Sequence, residues 1–203
     1  MRMAKMTILE RLIGQAAEQH GFVRTADAAE IEVNPAALRK LAAAGRLEHR
    51  SWGLYRLVAF PSTQNDEFHE AVLWANGVGV VGGEAALALW DLADVNPSKI
   101  EIIVPPNYQP RRLGRDRYKI RRRKLADVDV ETVDNIPVIT ARVAISDAVK
   151  AGVAGELIEQ AIANARARKL IGLVTESRLR VQLADRTTPA GDRIDNSHAS
   201  TWR

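Results

Sequence analysis

The sequence predicts an α+β fold, and three observations carry that prediction. First, residues 25–57 read as a helix, a tight turn, a second helix and then two short strands joined by Ser51-Trp52-Gly53. That order is a winged helix-turn-helix. Second, residues 65–184 alternate short apolar, β-branched runs with longer segments of helical period, which predicts a mixed domain with a small sheet and several helices. Third, the last residues, 185–203, are polar and punctuated by Gly and Pro, which predicts a flexible tail. The predicted organisation is a DNA-binding winged unit over 1–60, an α+β domain over 65–184 and the tail.

Each element has its local signals. A first helix spans 7–19, with Ile8, Leu9, Leu12, Ile13 and Ala16 on one face to cover the helix-turn-helix core. Gly21 ends it, and Phe22-Val23-Arg24 is an extended lead. Thr25 is the expected acceptor for the amides of a helix beginning at Ala26. Asn34 is the expected cap of the next helix, whose first residue, Pro35, has no N–H to leave unpaired. That helix buries Leu38 and Leu41, and Gly45 supplies a left-handed C-terminal residue. The turn at Glu32-Val33-Asn34 fits less well, because such turns favour Gly where Glu32 stands. Strands 46–50 and 54–58 form the wing. Past a linker at 59–64, Asn65 or Asp66 caps a helix to Asn76 with Phe68, Val72 and Leu73 on one side. A strand over 77–81, a helix over 84–92 and strands over 100–104, 118–122 and 128–133 follow. The tract 136–139 leads to Thr140, the cap of a helix running to Ala151, and two helices, 156–170 and 175–183, complete the domain.

The bulk numbers narrow the function. The 203 residues are 46% apolar, enough for a real core. There is no cysteine, so neither disulfides nor thiolate metal sites are expected. No run approaches the ~18 apolar residues of a membrane span, and the N-terminal stretch has Glu10 and Arg11 inside its apolar part, unlike a signal peptide. A soluble, cytoplasmic protein without membrane partner is the expectation. The net charge of +4 conceals strong segregation. Residues 1–58 carry 9 Lys/Arg against 6 Asp/Glu, residues 59–110 carry 1 against 7, and residues 111–124 carry 9 against 1. Such patches steer partners of opposite charge to different faces.

DNA contact is predicted for Asn34, Ala36, Ala37, Arg39 and Lys40 on the outward face of the second helix of the motif, and for Arg46, Arg50 and Trp52 in the wing. Small residues let the helix approach the groove floor, and Arg39 can read guanine or clamp phosphate. The duller alternative is a winged fold used for protein contact. The basic run offers Arg111, Arg112, Arg115, Arg117, Lys119, Arg121, Arg122 and Arg123 as contacts for nucleic acid or for an acidic protein. Strand alternation would put Tyr118, Ile120 and Arg122 on one face and Lys119, Arg121 and Arg123 on the other; a solvated edge strand guarded by charge remains the third alternative.

Other motifs lose on context. Gly77-Val78-Gly79-Val80-Val81-Gly82 matches a dinucleotide-binding pattern, but a helix precedes it where a strand belongs, and Glu84 would place a carboxylate where pyrophosphate should sit. His20, His49, His69 and His198 are scattered, and His69-Glu70 lacks the second His of a zinc helix. The sequence Asp94…Glu101-Ile102-Ile103 follows the acid-strand pattern of a nuclease core, with Ile103 where the lysine belongs. No catalytic residue, cofactor or metal is expected, and no enzymatic activity.

The chain resembles the AbiEi-type antitoxins of bacterial abortive-infection toxin–antitoxin systems. The resemblance rests on Thr25-x-x-Ala28-Ala29, on Leu38, Leu41, Gly45, Leu47 and Gly53-Leu54-Tyr55, on Gly83-Glu84-Ala85-Ala86-Leu87-Ala88-Leu89-Trp90-Asp91-Leu92 with Asn96-Pro97 and the strand after it, and on Ile136-Pro137-Val138-Ile139-Thr140 before a helix containing Asp147. It covers about residues 5–150. Trp90 stands where the family pattern suggests a smaller or polar residue, and Asn135 where it suggests a turn Gly. The resemblance implies a winged helix that binds repeats in its own promoter, double-stranded DNA as partner, and a second domain that neutralises a nucleotidyltransferase-like toxin. An inverted repeat would carry two copies of the chain. The competing expectations are a stand-alone winged-helix regulator with a ligand-sensing or dimerising second domain, and, more distantly, a nuclease-like enzyme with a degraded motif.

Overall fold

The computed structural model describes residues 6–108 and 115–187. Helix α1 (Ile8–Ala16) opens on Thr7, whose hydroxyl accepts from the Glu10 N–H while Glu10 accepts from the Thr7 N–H, a reciprocal capping box. A short 3-10 turn follows, and His20 and Gly21 take left-handed conformations that end it. β1 (Phe22–Arg24), α2 (Thr25–Glu30), α3 (Pro35–Ala43), β2 (Leu47–Ser51) and β3 (Leu54–Leu57) complete the N-terminal unit. The extended lead is thus a third strand, and the sheet order is β1-β3-β2, all antiparallel. Leu12, Ala16, Val23, Ala28, Val33, Leu38, Leu47 and Leu57 pack into one core beneath it.

One local expectation for this unit changes. Thr25 does not cap α2; it is the first helical residue, and its N–H donates to the Gly53 carbonyl at 2.9 Å. The cap position belongs to Arg24, whose N–H donates to the Asp27 carboxylate at 3.0 Å. Asn34 does cap α3, accepting from the Ala37 N–H at 2.9 Å. Glu32 stands at φ 57°, the left-handed conformation that the turn requires.

The second unit is built on a five-stranded mixed sheet of order β6-β5-β4-β8-β7. Its strands are β4 (Val80–Gly82), β5 (Ile100–Val104), β6 (Tyr118–Arg122), β7 (Val130–Val133) and β8 (Ile136–Ile139). β4 runs antiparallel to β5 and parallel to β8, while β5 and β6 are parallel. Helix α4 (Asp66–Trp74) covers one face, bringing the Trp74 ring to 4.7 Å from Tyr118. Helices α5 (Gly83–Leu89) and α6 (Ala141–Ala151) cover the other, with α7 (Gly155–Ala167) and α8 (Leu173–Thr187) stacked on α6. With both faces covered, every residue of β5 is buried. Thr140 caps α6 by accepting from the Val143 N–H. Asn65 does not cap α4 through its side chain; its amide donates instead to the Asp134 carboxylate at 2.5 Å. Helix α8 extends to Thr187, past the point at 185 where the tail was expected to start, because Leu179 and Leu183 keep one face buried.

The glycines of the 77–82 motif have a packing role. A Cβ on Gly79 would lie 2.6 Å from Ile102 Cγ2, and one on Gly82 would lie 2.6 Å from Ile103 Cδ1. They let β4 and β5 approach with large side chains on both faces, and no phosphate loop is formed. Trp90, at odds with the family pattern, donates its indole N–H to the Ile139 carbonyl at 2.9 Å and so ties α5 to β8. Asp134 and Asn135, at φ 47° and 60°, make the two-residue turn between β7 and β8, where both central residues must be left-handed.

Candidate nucleic-acid interface

The winged unit presents α3 and the wing on either side of an open cleft of about 750 Å³, lined in part by Pro35, Arg39, Ala42, His49, Trp52 and Tyr55. The amphipathic spacing of α3 buries Leu38 and leaves Asn34, Ala36, Arg39 and Lys40 exposed, with Ala37 half-buried. Among the described residues Arg39 and Lys40 have no ion-pair partner, so both charges are free for phosphate or base edges. Trp52, at the tip of the wing, is 71% exposed, which is unusual for so large an apolar ring. The His49 ring lies 5.2 Å from Tyr55 on the cleft side of β2. Arg46, exposed just before β2, sits at the far end of α3.

Arg50 is placed elsewhere. Strand alternation sends Glu48 and Arg50 to the opposite side of β2 from His49, into a recess shared with Arg56, Asp66 and Glu67. There Arg50 pairs with Glu70 of α4, its Nη2 2.9 Å from Oε2. The structure therefore brings Arg39, His49 and Trp52 to one cleft, leaves Asn34, Ala36 and Lys40 exposed elsewhere on α3, and directs Arg50 away from the cleft.

The basic run is largely consumed inside the molecule. The predicted alternation holds: Tyr118 is buried beneath α4, while Lys119, Arg121 and Arg123 turn to the opposite face. On that face two buried carboxylates wait. Glu101 pairs with Lys119 at 2.9 Å and Arg121 at 3.1 Å, and Asp147 pairs with Arg121 at 3.1 Å and Arg123 at 2.7 Å. Arg117 pairs with Glu70 at 2.9 Å. Burial and the Glu70 carboxylate push the Tyr118 hydroxyl up to about 12. Of the eight candidates, Arg122 is exposed and without an ion-pair partner among the described residues, as is the neighbouring Lys124. Arg111 and Arg112 lie outside the described residues, as does the side chain of Arg115.

What the sequence reading missed is that Glu70, Glu101 and Asp147 are buried ion-pair partners of the basic residues. For Glu101 and Asp147 the signal is a lone acid inside an apolar run, Ile100-Glu101-Ile102-Ile103 and Ala144-Ile145-Ser146-Asp147-Ala148, where an unpaired charge would be costly. Among the described residues no group of three His, Cys, Asp or Glu is arranged to hold a metal ion, and no helix is long and apolar enough to cross a membrane.

Comparison with known proteins adds to this geometry. Residues 11–58 match the family model described as transcriptional regulator, AbiEi antitoxin. No curated protein matches the chain. A crystal structure of the RV2827C protein from Mycobacterium tuberculosis is similar at 16% identity and a TM-score of 0.47, over 91% of this chain and 84% of that one. The matched segment is the winged unit itself, from the middle of α1 to the end of the wing. Over residues 11–58 the N-terminal unit is thus similar to the family described as transcriptional regulator, AbiEi antitoxin.

Proposed function

We propose that this protein is the antitoxin of a toxin–antitoxin pair and represses its own operon by seating α3 and the wing on promoter repeats. The observation that carries this reading is the single cleft onto which Arg39 and the wing residues His49 and Trp52 all open. A recognition helix entering the major groove would bring Asn34, Ala36 and Ala37 to the groove floor and Arg39 and Lys40 to bases or phosphates. The wing would then lie along the adjacent backbone, with Trp52 against sugar and phosphate. In binding assays on the DNA upstream of its own gene, Arg39→Ala combined with Lys40→Ala should lower affinity and reduce the slope of log K against log salt by up to about 1.8, or 0.9 per lost phosphate contact. An unchanged affinity at both low and high salt would end the assignment.

The second unit is proposed to neutralise a nucleotidyltransferase-like toxin. Support comes from the family match and from the acidic, metal-binding character that such a toxin's active site would have, to which a basic surface is complementary. The exposed Arg122 and Lys124 are the contacts to test, because reversing Arg121 or Arg123 would strand Asp147 and Glu101 and damage the fold itself. Co-expression of the toxin with Arg122→Glu, Lys124→Glu should abolish growth rescue while operator binding persists. Full rescue by the doubly reversed chain would remove this surface from the mechanism.

A further inference from the structure

Glu70 is the most enclosed charged side chain of α4, its carboxylate 1% exposed, and it is shared by two arginines remote from each other in the sequence. Arg50, from the wing, donates from Nε to Oε2 at 3.0 Å, with Nη2 2.9 Å from the same oxygen. Arg117, from the turn before β6, donates to Oε1 at 2.9 Å. Each carboxylate oxygen thus has its own guanidinium, in the charge-assisted geometry that makes such bonds strong. The other edge of the wing is also held, by the Thr25 N–H on the Gly53 carbonyl. A β-hairpin alone is a marginal structure, and this one is fastened at its turn and along its outer strand.

We propose that Glu70 is the positioning residue of the wing. Through Arg50 it fixes the pose in which His49 and Trp52 meet DNA, and it withdraws the Arg50 charge from phosphate contact. The proposal rests on the operator-binding reading above. Its physical basis is the asymmetry of a buried ion pair: the guanidinium of Arg50, 40% exposed, loses little by leaving, whereas the carboxylate it would leave behind is sealed from water. The second unit therefore takes part in DNA binding without touching DNA, as the wall against which the wing is braced.

The test compares the full-length wild type with Glu70→Gln and Arg50→Ala in binding to its own upstream DNA across a salt series, alongside hydrogen exchange of the free proteins. Glu70→Gln should speed exchange of the amides of residues 49–53 and steepen the salt slope by about 0.9, as the released Arg50 finds a phosphate. Arg50→Ala should also speed exchange there and weaken binding, with the salt slope unchanged. If Arg50→Ala lowers the slope by about 0.9, Arg50 is a phosphate contact and the positioning role is overturned. Unchanged wing exchange in Arg50→Ala overturns it as well, and this variant decides the matter should Glu70→Gln fail to fold. Absence of wild-type binding at any salt overturns the operator reading and the proposal together, which separates that failure from the other two.

Discussion

Glu32 shows how a single residue can be out of keeping with its place and remain there. It is fully exposed at φ 57°, and its only ion-pair contact among the described residues is a loose one, 3.9 Å to Arg11. A left-handed residue with a Cβ costs about 1–2 kcal/mol, part of which glycine returns through its larger unfolded-state entropy. Glu32→Gly is expected to raise stability by about 0.5–1 kcal/mol, seen as a rise of roughly 1–4 °C in Tm. A lower midpoint in thermal unfolding would show that the turn is not strained. This misfit was legible in the sequence, since the helix before it and the Asn34-Pro35 start after it left too few residues for any other turn. Glu70 was not legible in the same way. His69-Glu70 reads only as a metal motif, and Glu70 is sealed by Arg50 of the N-terminal unit and by Arg117, partners remote in sequence.

At the scale of elements, the sequence was read best where local chemistry decides and least well where partners do. The caps at Asn34 and Thr140 and the β-branched strand β5 were predictable because a few neighbouring residues determine them. The charge partners of helix α4 and of the basic strand β6 were missed for a common reason. A polar residue in a periodic pattern does not announce whether water or an opposite charge will meet it, and here Lys119, Arg121 and Arg123 meet Glu101 and Asp147. The glycine motif at 77–82 is settled by close approach, which a pattern match cannot register. Gly82→Ala should destabilise the protein by about 1–3 kcal/mol through overpacking against Ile103. Urea unfolding would register this as a lower midpoint at constant m-value, and wild-type stability in the variant would mean that the strands have slack to spare.

Across the whole molecule, the two units meet along a seam of apolar and polar contacts. Phe22, Leu54 and Leu73 form a small buried cluster there, and the His69 ring stacks on Phe22 at 5.7 Å. His20 donates from Nε2 to the Asp134 carbonyl, 2.6 Å away, and Arg24 donates to the Asn76 carbonyl at 3.0 Å. Burial and the nearby His20 hold His69 down at about 4, with Asp66 acting weakly the other way. Because this folded value lies below the unfolded one near 6.5, the stabilisation is complete above pH 6.5 and declines as pH falls toward 4. Between pH 7.5 and 5.5 the loss should be about 1 kcal/mol. Denaturant midpoints of the wild type should fall over that range, and those of His69→Phe should fall less; parallel curves for the two would exonerate His69. The order of strands that builds this seam's second half could not be read from sequence, since apolar runs specify that strands pair without saying with which neighbour.

That strand order also sets a timetable. Every ladder of the N-terminal sheet closes within residues 22–57, whereas the second sheet is joined at its centre by Val81 with Val138, 57 residues apart in the chain. Non-local pairings of this kind are slow to form, and ribosomes deliver chain at roughly 5–20 residues per second. The N-terminal sheet can therefore close several seconds before the strand that finishes its companion has been synthesised. A nascent chain acquires its winged sheet first and the brace of the wing's outer strand afterwards.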